Sequence, residues 1–285
     1  MRVFVSLFFI LIFNLFVVDL YSKNVIYIVV EGVSRDSLYS LIKKNRLPNY
    51  NKIIARGNYR NLGINNNELK NNESTFMLYS GFKSNFYQEK SFFEQVQELK
   101  PNLTIKCFLT APIDKSYNIN TEAAISQLLT YTKSGELEYV KSLELGNKVA
   151  EFVNNQNDPF FLVVNYTNVD YIGWRYREGA VLYSQALKNT DRSIGKIISA
   201  LKKKGNFEET EFLITTNYGY HVKTQLRKAE GWIVSTKKSY RKGTLDDIYP
   251  SLLDLLELNE VNYYSSFNGK TLFKPTTIEV VLDSD

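Results

Sequence analysis

Short uninterrupted apolar runs alternate with amphipathic stretches along this chain, and that alternation constrains the fold more than any other feature. VIYIVV at 25–30 stops at Glu31-Gly32; TIKCFLTA at 104–111, the FFLVVNY part of 158–170 and EFLIT within 209–217 repeat the pattern. Runs of this length without polar alternation suit strands buried on both faces of a parallel sheet. Between them lie stretches with helical spacing. SRDSLYSLIKKN has Ser34 or Asp36 as N-cap, LPNYNKIIARG closes at Gly57, and STFMLYSGF ends near Gly81. KSFFEQVQELK, EAAISQLLTYT, a long segment 136–156, and 178–205 stopped by Gly205 continue the series. DDIYPSLLDLLEL has Asp247 as N-cap and Pro250 in its first turn, where a missing N–H costs little. The polar, Asn-rich residues 58–72 read as loop, and GWIVST as a short fifth strand.

Strands alternating with helices predict a three-layer α/β/α sandwich around a mainly parallel central sheet. With 285 residues and no internal repeat or low-complexity linker, residues 23–285 read as one domain. In such sheets ligands sit outside the carboxyl ends of the strands. Glu31, Asp170 and Asn217 all fall there.

Residues 1–22 form a separate piece. Arg2 precedes an apolar run from Val3 to Val18, broken only by Ser6 and Asn14, and Ser22 follows. This is the pattern of a secretory signal peptide, with an uncleaved anchor as the alternative, because Leu20 is not a small residue. The expectation is an exported protein, periplasmic, secreted or envelope-associated, meeting a membrane only through an uncleaved leader. Net charge is +5, and Lys202-Lys203-Lys204 is the densest basic run. Both argue against nucleic acid as a partner. Cys107, the single cysteine, excludes an intramolecular disulfide and reads as a small core residue.

The strand ends carry a family resemblance. NVIYIVVEGV resembles the opening strand of the alkaline phosphatase superfamily, in its type I phosphodiesterase/nucleotide pyrophosphatase and sulfatase-like branch. LPNYNKIIARG, the nucleophile segment NNESTFMLYSGF, NYTNVDYIGW for "D-x-x-G-H", ITTNYG for "TSDHG", TLDDIYPSLLDLLEL and FNGKTLF resemble its later segments, in order. The resemblance implies an alkaline-phosphatase-like fold and, in active members, two divalent metals held by carboxylates and histidines around a Thr or Ser nucleophile. Paired metals lower the nucleophile's pKa and share transition-state charge.

Against that implied set this chain is degenerate. Glu31 stands for the first Asp. Asn71 or Asn72 falls at the nucleophile position, with Ser74 and Thr75 serving only if the register slips. Asp170 is kept, but Trp174 replaces its partner histidine. Asn217 and Tyr218 replace Asp and His at the "DHG" tip. The family site draws on three histidines, and this chain has one, His221.

Three functions follow as expectations. The first is a pseudoenzyme without a cofactor, binding a phosphorylated or glycan ligand, or an envelope protein, through the old cleft. The second is a residual hydrolase using Glu31, Asp170 and His221 around one Mg, Mn or Zn ion. The third is a structural envelope domain. Trp174 and Tyr218 are expected to fill the space of the missing metals or to form a stacking platform for a ligand. Arg175 and Arg177 are anion contacts or solvent-facing charges. Glu31 alternatively caps the following helix, Ser74 and Thr75 start theirs, and Asp191 has a structural role.

Overall fold

The fold is described from a computed structural model covering residues 23–66, 73–80, 92–110, 136–140, 144–224, 226–258 and 269–275. Asn71, Asn72, the leader and the helix expected at 122–132 lie outside these residues.

Eight strands form one sheet. In spatial order they are β10 (Gly243–Thr244), β2 (Asn58–Gly63), β9 (Glu230–Ser235), β6 (Glu211–Thr215), β1 (Val25–Val30), β5 (Phe160–Tyr166), β3 (Thr104–Thr110) and β4 (Glu136–Val140). All neighbours run parallel except at β9, which is antiparallel to both β2 and β6. A separate two-stranded hairpin joins β7 (Gly219–Tyr220) to β8 (Arg227–Lys228).

β1 lies at the centre, and every one of its residues is buried. Its side chains alternate between two apolar clusters, as the period of a strand requires. Ile26, Ile28 and Val30 meet one helical layer, which includes α1 (Arg35–Lys43), α2 (Pro48–Ile54), α5 (Leu145–Asn155) and α7 (Val181–Lys204). Val25, Tyr27 and Val29 meet the other, with α3 (Glu73–Ser80), α4 (Phe92–Leu99) and α8 (Ile248–Leu255). The predicted three-layer sandwich is therefore the observed one.

Several local expectations are corrected. Residues 58–63 are strand β2, not loop. β2 pairs with β9 from Asn58↔Ser235 to Gly63↔Glu230, so sheet pairing overrides a polar composition of low β-propensity. The segment 136–156 is not one helix. Its first five residues pair with β3 as β4, and the helix begins only at Leu145. Gly57 does not end α2 in a left-handed conformation; a Cβ there would lie 2.2 Å from Ser235 O, so close approach to β9 requires the glycine. Gly205 does end α7 with φ +81°. Asp247 is the residue before α8, as expected, but its side chain caps the preceding turn, as the third residue of a capping box whose N-cap is Thr244, with Oδ2 accepting from Thr244 N at 2.8 Å.

Asp191 projects from α7 and caps α2 from outside. Its Oδ1 accepts from Asn49 N and Tyr50 N, each at 3.0 Å, two of the N–H groups a helix start leaves without partners. Gly195, one turn along α7, leaves room for the Asn49 amide that completes the contact. Cys107 is buried in β3, and burial pushes its thiol up to about 12, as befits a core residue. Among the described residues no helix is long and apolar enough to cross a membrane.

Candidate functional site

Three neighbouring parallel strands, β6, β1 and β5, end side by side, and the chain leaving each one contributes to a single cluster. β1 turns at Glu31-Gly32, with Gly32 at φ +68°. Every backbone donor in this turn has a distant partner. Gly32 N donates to Asn217 Oδ1 at 3.0 Å, Val33 N to Thr216 Oγ1 at 3.1 Å, and Ser34 N to the Tyr183 hydroxyl at 2.9 Å. The Tyr183 hydroxyl in turn donates to Gly32 O at 2.7 Å. Ser34 Oγ both accepts from Tyr220 N and donates to Tyr220 O. A buried turn satisfied in this way has little freedom to rearrange.

Ser34 is the residue before α1, as expected, but its hydroxyl is spent on Tyr220. The first helical N–H, from Arg35, goes instead to Glu230 Oε1 at 3.1 Å. Glu31, the other candidate cap, has Oε1 accepting from Asn165 Nδ2 of β5 at 2.8 Å and is buried.

Beyond β5 the chain enters a helix, α6 (Asn168–Tyr176), at once, so Asp170 lies in a first helical turn rather than a loop. A negative charge is favoured there by the helix dipole. Its carboxylate is buried and receives two phenols. The Tyr218 hydroxyl donates to Oδ2 at 2.8 Å, and the Tyr220 hydroxyl to Oδ1 at 2.6 Å. The two rings meet edge to face with centroids 5.9 Å apart. Gly32 and Gly173 make this packing possible: a Cβ on the first would lie 2.4 Å from Asp170 Oδ1, and on the second 2.6 Å from the Tyr220 ring.

Asn217 occupies the strand-end tip of β6. Its Oδ1 holds Gly32 N, and its Nδ2 donates to Thr75 Oγ1 at 3.0 Å. Thr75 and Ser74 lie inside the first turn of α3, which starts at Glu73, so neither is the residue before the helix. Both are buried, and Ser74 Oγ has no hydrogen-bond partner among the described residues.

Glu31, Thr75, Asp170, Asn217 and Tyr218 are therefore brought together. Trp174, Arg175 and His221 are not. Successive helical residues turn by about 100°, so with Gly173 against Tyr220 the Trp174 ring swings outward. It is 46% exposed and packs near Tyr171 at 6.0 Å. Arg175 is exposed and donates from Nε to the Tyr176 hydroxyl at 3.2 Å. Arg177 is exposed as well, and His221 is exposed in the turn of the β7–β8 hairpin. Tyr220, Tyr183, Thr216 and Asn165 were missed by motif reasoning. The alternate spacing of Tyr218 and Tyr220, which sends two side chains of an extended segment the same way, was the signal available for Tyr220.

A sequence profile of the type I phosphodiesterase/nucleotide pyrophosphatase family matches residues 58–234, more than half of the chain. The chain belongs to that family. No curated protein matches it by sequence. Solved structures with the same fold include a protein of the alkaline phosphatase superfamily from Vibrio parahaemolyticus. That pair shares 15% identity at TM-score 0.58, covering 90% of this chain and 70% of the other. The lipoteichoic acid synthase LtaP from Listeria monocytogenes gives 12% identity at 0.59, covering 89% and 74%. A putative sulfatase from Bacteroides fragilis gives 14% at 0.58, covering 84% and 74%. At these identities the likeness is one of fold, and it gives this member of the phosphodiesterase family an alkaline-phosphatase-like fold.

The residues present do not fit the two metals of that superfamily. Among the described residues no three His, Cys, Asp or Glu side chains lie close enough together to hold an ion. An amide stands at Asn217 and a phenol at Tyr218, where the resemblance calls for an anionic ligand and an imidazole.

Proposed function

We propose that this family member is an exported domain that has lost two-metal hydrolysis of phosphate and sulfate esters, needs no cofactor, and acts by binding a phosphorylated or glycan ligand, or a protein, in the cell envelope. The observation that carries the reading is the seating of the Tyr218 and Tyr220 hydroxyls on the two oxygens of Asp170. A metal ion held by both oxygens of Asp170 would have to share their lone pairs with these two donors, beside an amide at Asn217 and a phenol at Tyr218 where the resemblance calls for a carboxylate and an imidazole. The apolar stretch from Val3 to Val18 and the likeness to a lipoteichoic acid synthase support the envelope location.

The test is metal content. The protein is purified without chelator, its Zn, Mg, Mn and Ca are quantified, and each ion is added while the melting temperature is followed. The expected result is no stoichiometric metal and no rise in melting temperature, because only a ligand of the native state raises it. A stoichiometric metal that disappears in Asp170→Ala overturns the reading.

One observation favours a second reading, a reduced hydrolase. α3 delivers the Thr75 hydroxyl to Asn217, at the strand-end cluster where a nucleophile belongs. That reading requires metal-dependent hydrolysis of a phosphodiester, abolished by Thr75→Ala.

A further inference from the structure

Seven large apolar side chains are markedly exposed among the described residues, and six of them fall in two short segments. Trp174 (46% exposed) and Tyr176 (41%) close α6, and Val181 (86%) and Leu182 (50%) open α7. Val222 (56%) and Leu226 (67%) lie in the turn of the β7–β8 hairpin. The segments touch: a Cβ on Gly179 would lie 3.5 Å from Val222 O. Scattered exposed apolar residues are ordinary, but a cluster is the mark of an interaction surface.

Cations are interleaved with this patch. Arg175 and Arg177 flank Tyr176, Lys223 follows Val222, and Arg227 follows Leu226. All four are exposed. The one carboxylate in residues 171–182 and 221–228 is Glu178, which is buried with the Ser37 hydroxyl donating to it. Within these two segments the surface thus offers positive charge with no exposed carboxylate; the exposed Asp36 of α1 pairs with Lys228 at 3.7 Å.

That pattern selects an occupant. Arg175 adjoins Trp174 and Tyr176, Lys223 adjoins Val222 and Arg227 adjoins Leu226, while Val181 and Leu182 form the purely apolar end of the patch. Aliphatic side chains that enter the acyl boundary, Trp and Tyr at headgroup level, and Arg and Lys on phosphates are the contacts of an anionic bilayer surface. We infer that the outer face of α6, the start of α7 and the β7–β8 turn form a docking surface for an anionic lipid bilayer. This gives the folded domain a membrane contact of its own, apart from any made by residues 1–22. It is independent of whether the strand-end site retains chemistry. The same hairpin that closes that site with Tyr218 and Tyr220 presents Val222 and Leu226 outward.

The chain carries its own reporter. It has two tryptophans, Trp174 in the patch and the fully buried Trp232, and none in residues 1–22. Full-length protein is mixed with vesicles of phosphatidylglycerol and phosphatidylcholine carrying acyl-chain bromines, which quench only tryptophan at the membrane. A leader that binds lipid by itself leaves Trp174 unquenched. The expected result is quenching of Trp174 in anionic vesicles, little in pure phosphatidylcholine, and none in Trp174→Phe. Quenching is lost in Val222→Glu/Leu226→Glu, with Trp232 emission reporting that the fold is intact. Replacing Arg175 and Lys223 by Gln lowers partitioning about fivefold for each cation removed, which provides a second test if the hairpin variant does not fold. Absence of quenching in anionic vesicles overturns the inference. So does equal quenching in neutral vesicles, or protection of Trp174 by concentration-dependent self-association, which would assign the patch to a second copy of the chain.

Discussion

The Tyr220 hydroxyl donates to Asp170 Oδ1 at 2.6 Å, while the backbone of the same tyrosine is clasped from both sides by Ser34 Oγ. One residue of the β7–β8 hairpin thus ties the end of β1 to the first turn of α6. Beside it Tyr218 holds the other carboxylate oxygen. Tyr218→Phe and Tyr220→Phe are expected to destabilise the protein by about 1.5–3 kcal/mol each, the range for bonds to a charged group. In urea denaturation the double variant should lose less than the sum once Asp170 is also replaced by Asn, since all three share one network. Additive losses would mean that the phenols stabilise the fold independently of the carboxylate.

Gly32 couples a left-handed backbone to the tightest approach in the site, with Asp170 Oδ1 2.4 Å from the place of a Cβ. Gly32→Ala is expected to cost about 1–3 kcal/mol in backbone strain, and more through displacement of Asp170. The check is thermal melting together with Tyr fluorescence, which should report release of Tyr218 and Tyr220. A variant with wild-type melting would show that α6 shifts freely, contrary to the packing of Gly173 on Tyr220.

The cap that Asp191 places on α2 gives a prediction away from the site. Asp191→Ala removes the acceptor of Asn49 N and Tyr50 N, and the expected loss is about 2–3 kcal/mol. Hydrogen exchange should locate the loss, with protection falling first in Pro48–Ile54. Uniform loss across the sheet would contradict a local capping role.

Glu178 sets a pH dependence. Burial raises its carboxyl above the ordinary 4.5, the Ser37 hydroxyl that donates to it offsets part of that, and Glu230 and Asp36 add to the rise. Lys228, paired with Glu230 and Asp36, is the cation facing this group. Because the folded pKa is the higher one, the folded chain keeps a proton that the unfolded chain releases. Stability from this group is therefore complete below 4.5 and declines as pH rises through the raised value. Glu178→Gln, whose amide oxygen still accepts from Ser37, should flatten that decline in a series of urea midpoints. An unchanged slope in the variant would assign the decline to other groups.

Much of this architecture was legible in the sequence because local patterns coincide with it. The apolar runs that became β1, β3, β5 and β6, the glycine stop of α7 and the helix around Pro250 are set by neighbours a few residues away. The strand-end residues Glu31, Asp170 and Asn217 were legible for the same reason, since a parallel sheet sends its carboxyl ends to one side. The segments that misled are those in which distant partners outweigh local preference. Residues 58–63 are polar, yet they complete the hydrogen bonds of β9. Residues 136–140 look helical in isolation, yet they extend the edge of the sheet beside β3.

By itself the sequence determined the layered α/β class, the family, and a single histidine in 285 residues. Those are matters of residue type and order. Only the tertiary structure decided which partners the strand-end residues hold. Tyr218 and Tyr220 lie 48 and 50 residues from Asp170, and Thr75 lies 142 from Asn217. Hydrogen bonds over such separations depend on how three strands and two helices pack, and no local pattern encodes them. The direction in which Trp174 points was settled in the same way. With Gly173 against the Tyr220 ring, the helix can turn Trp174 only outward, where it joins Val222 and Leu226 on the surface.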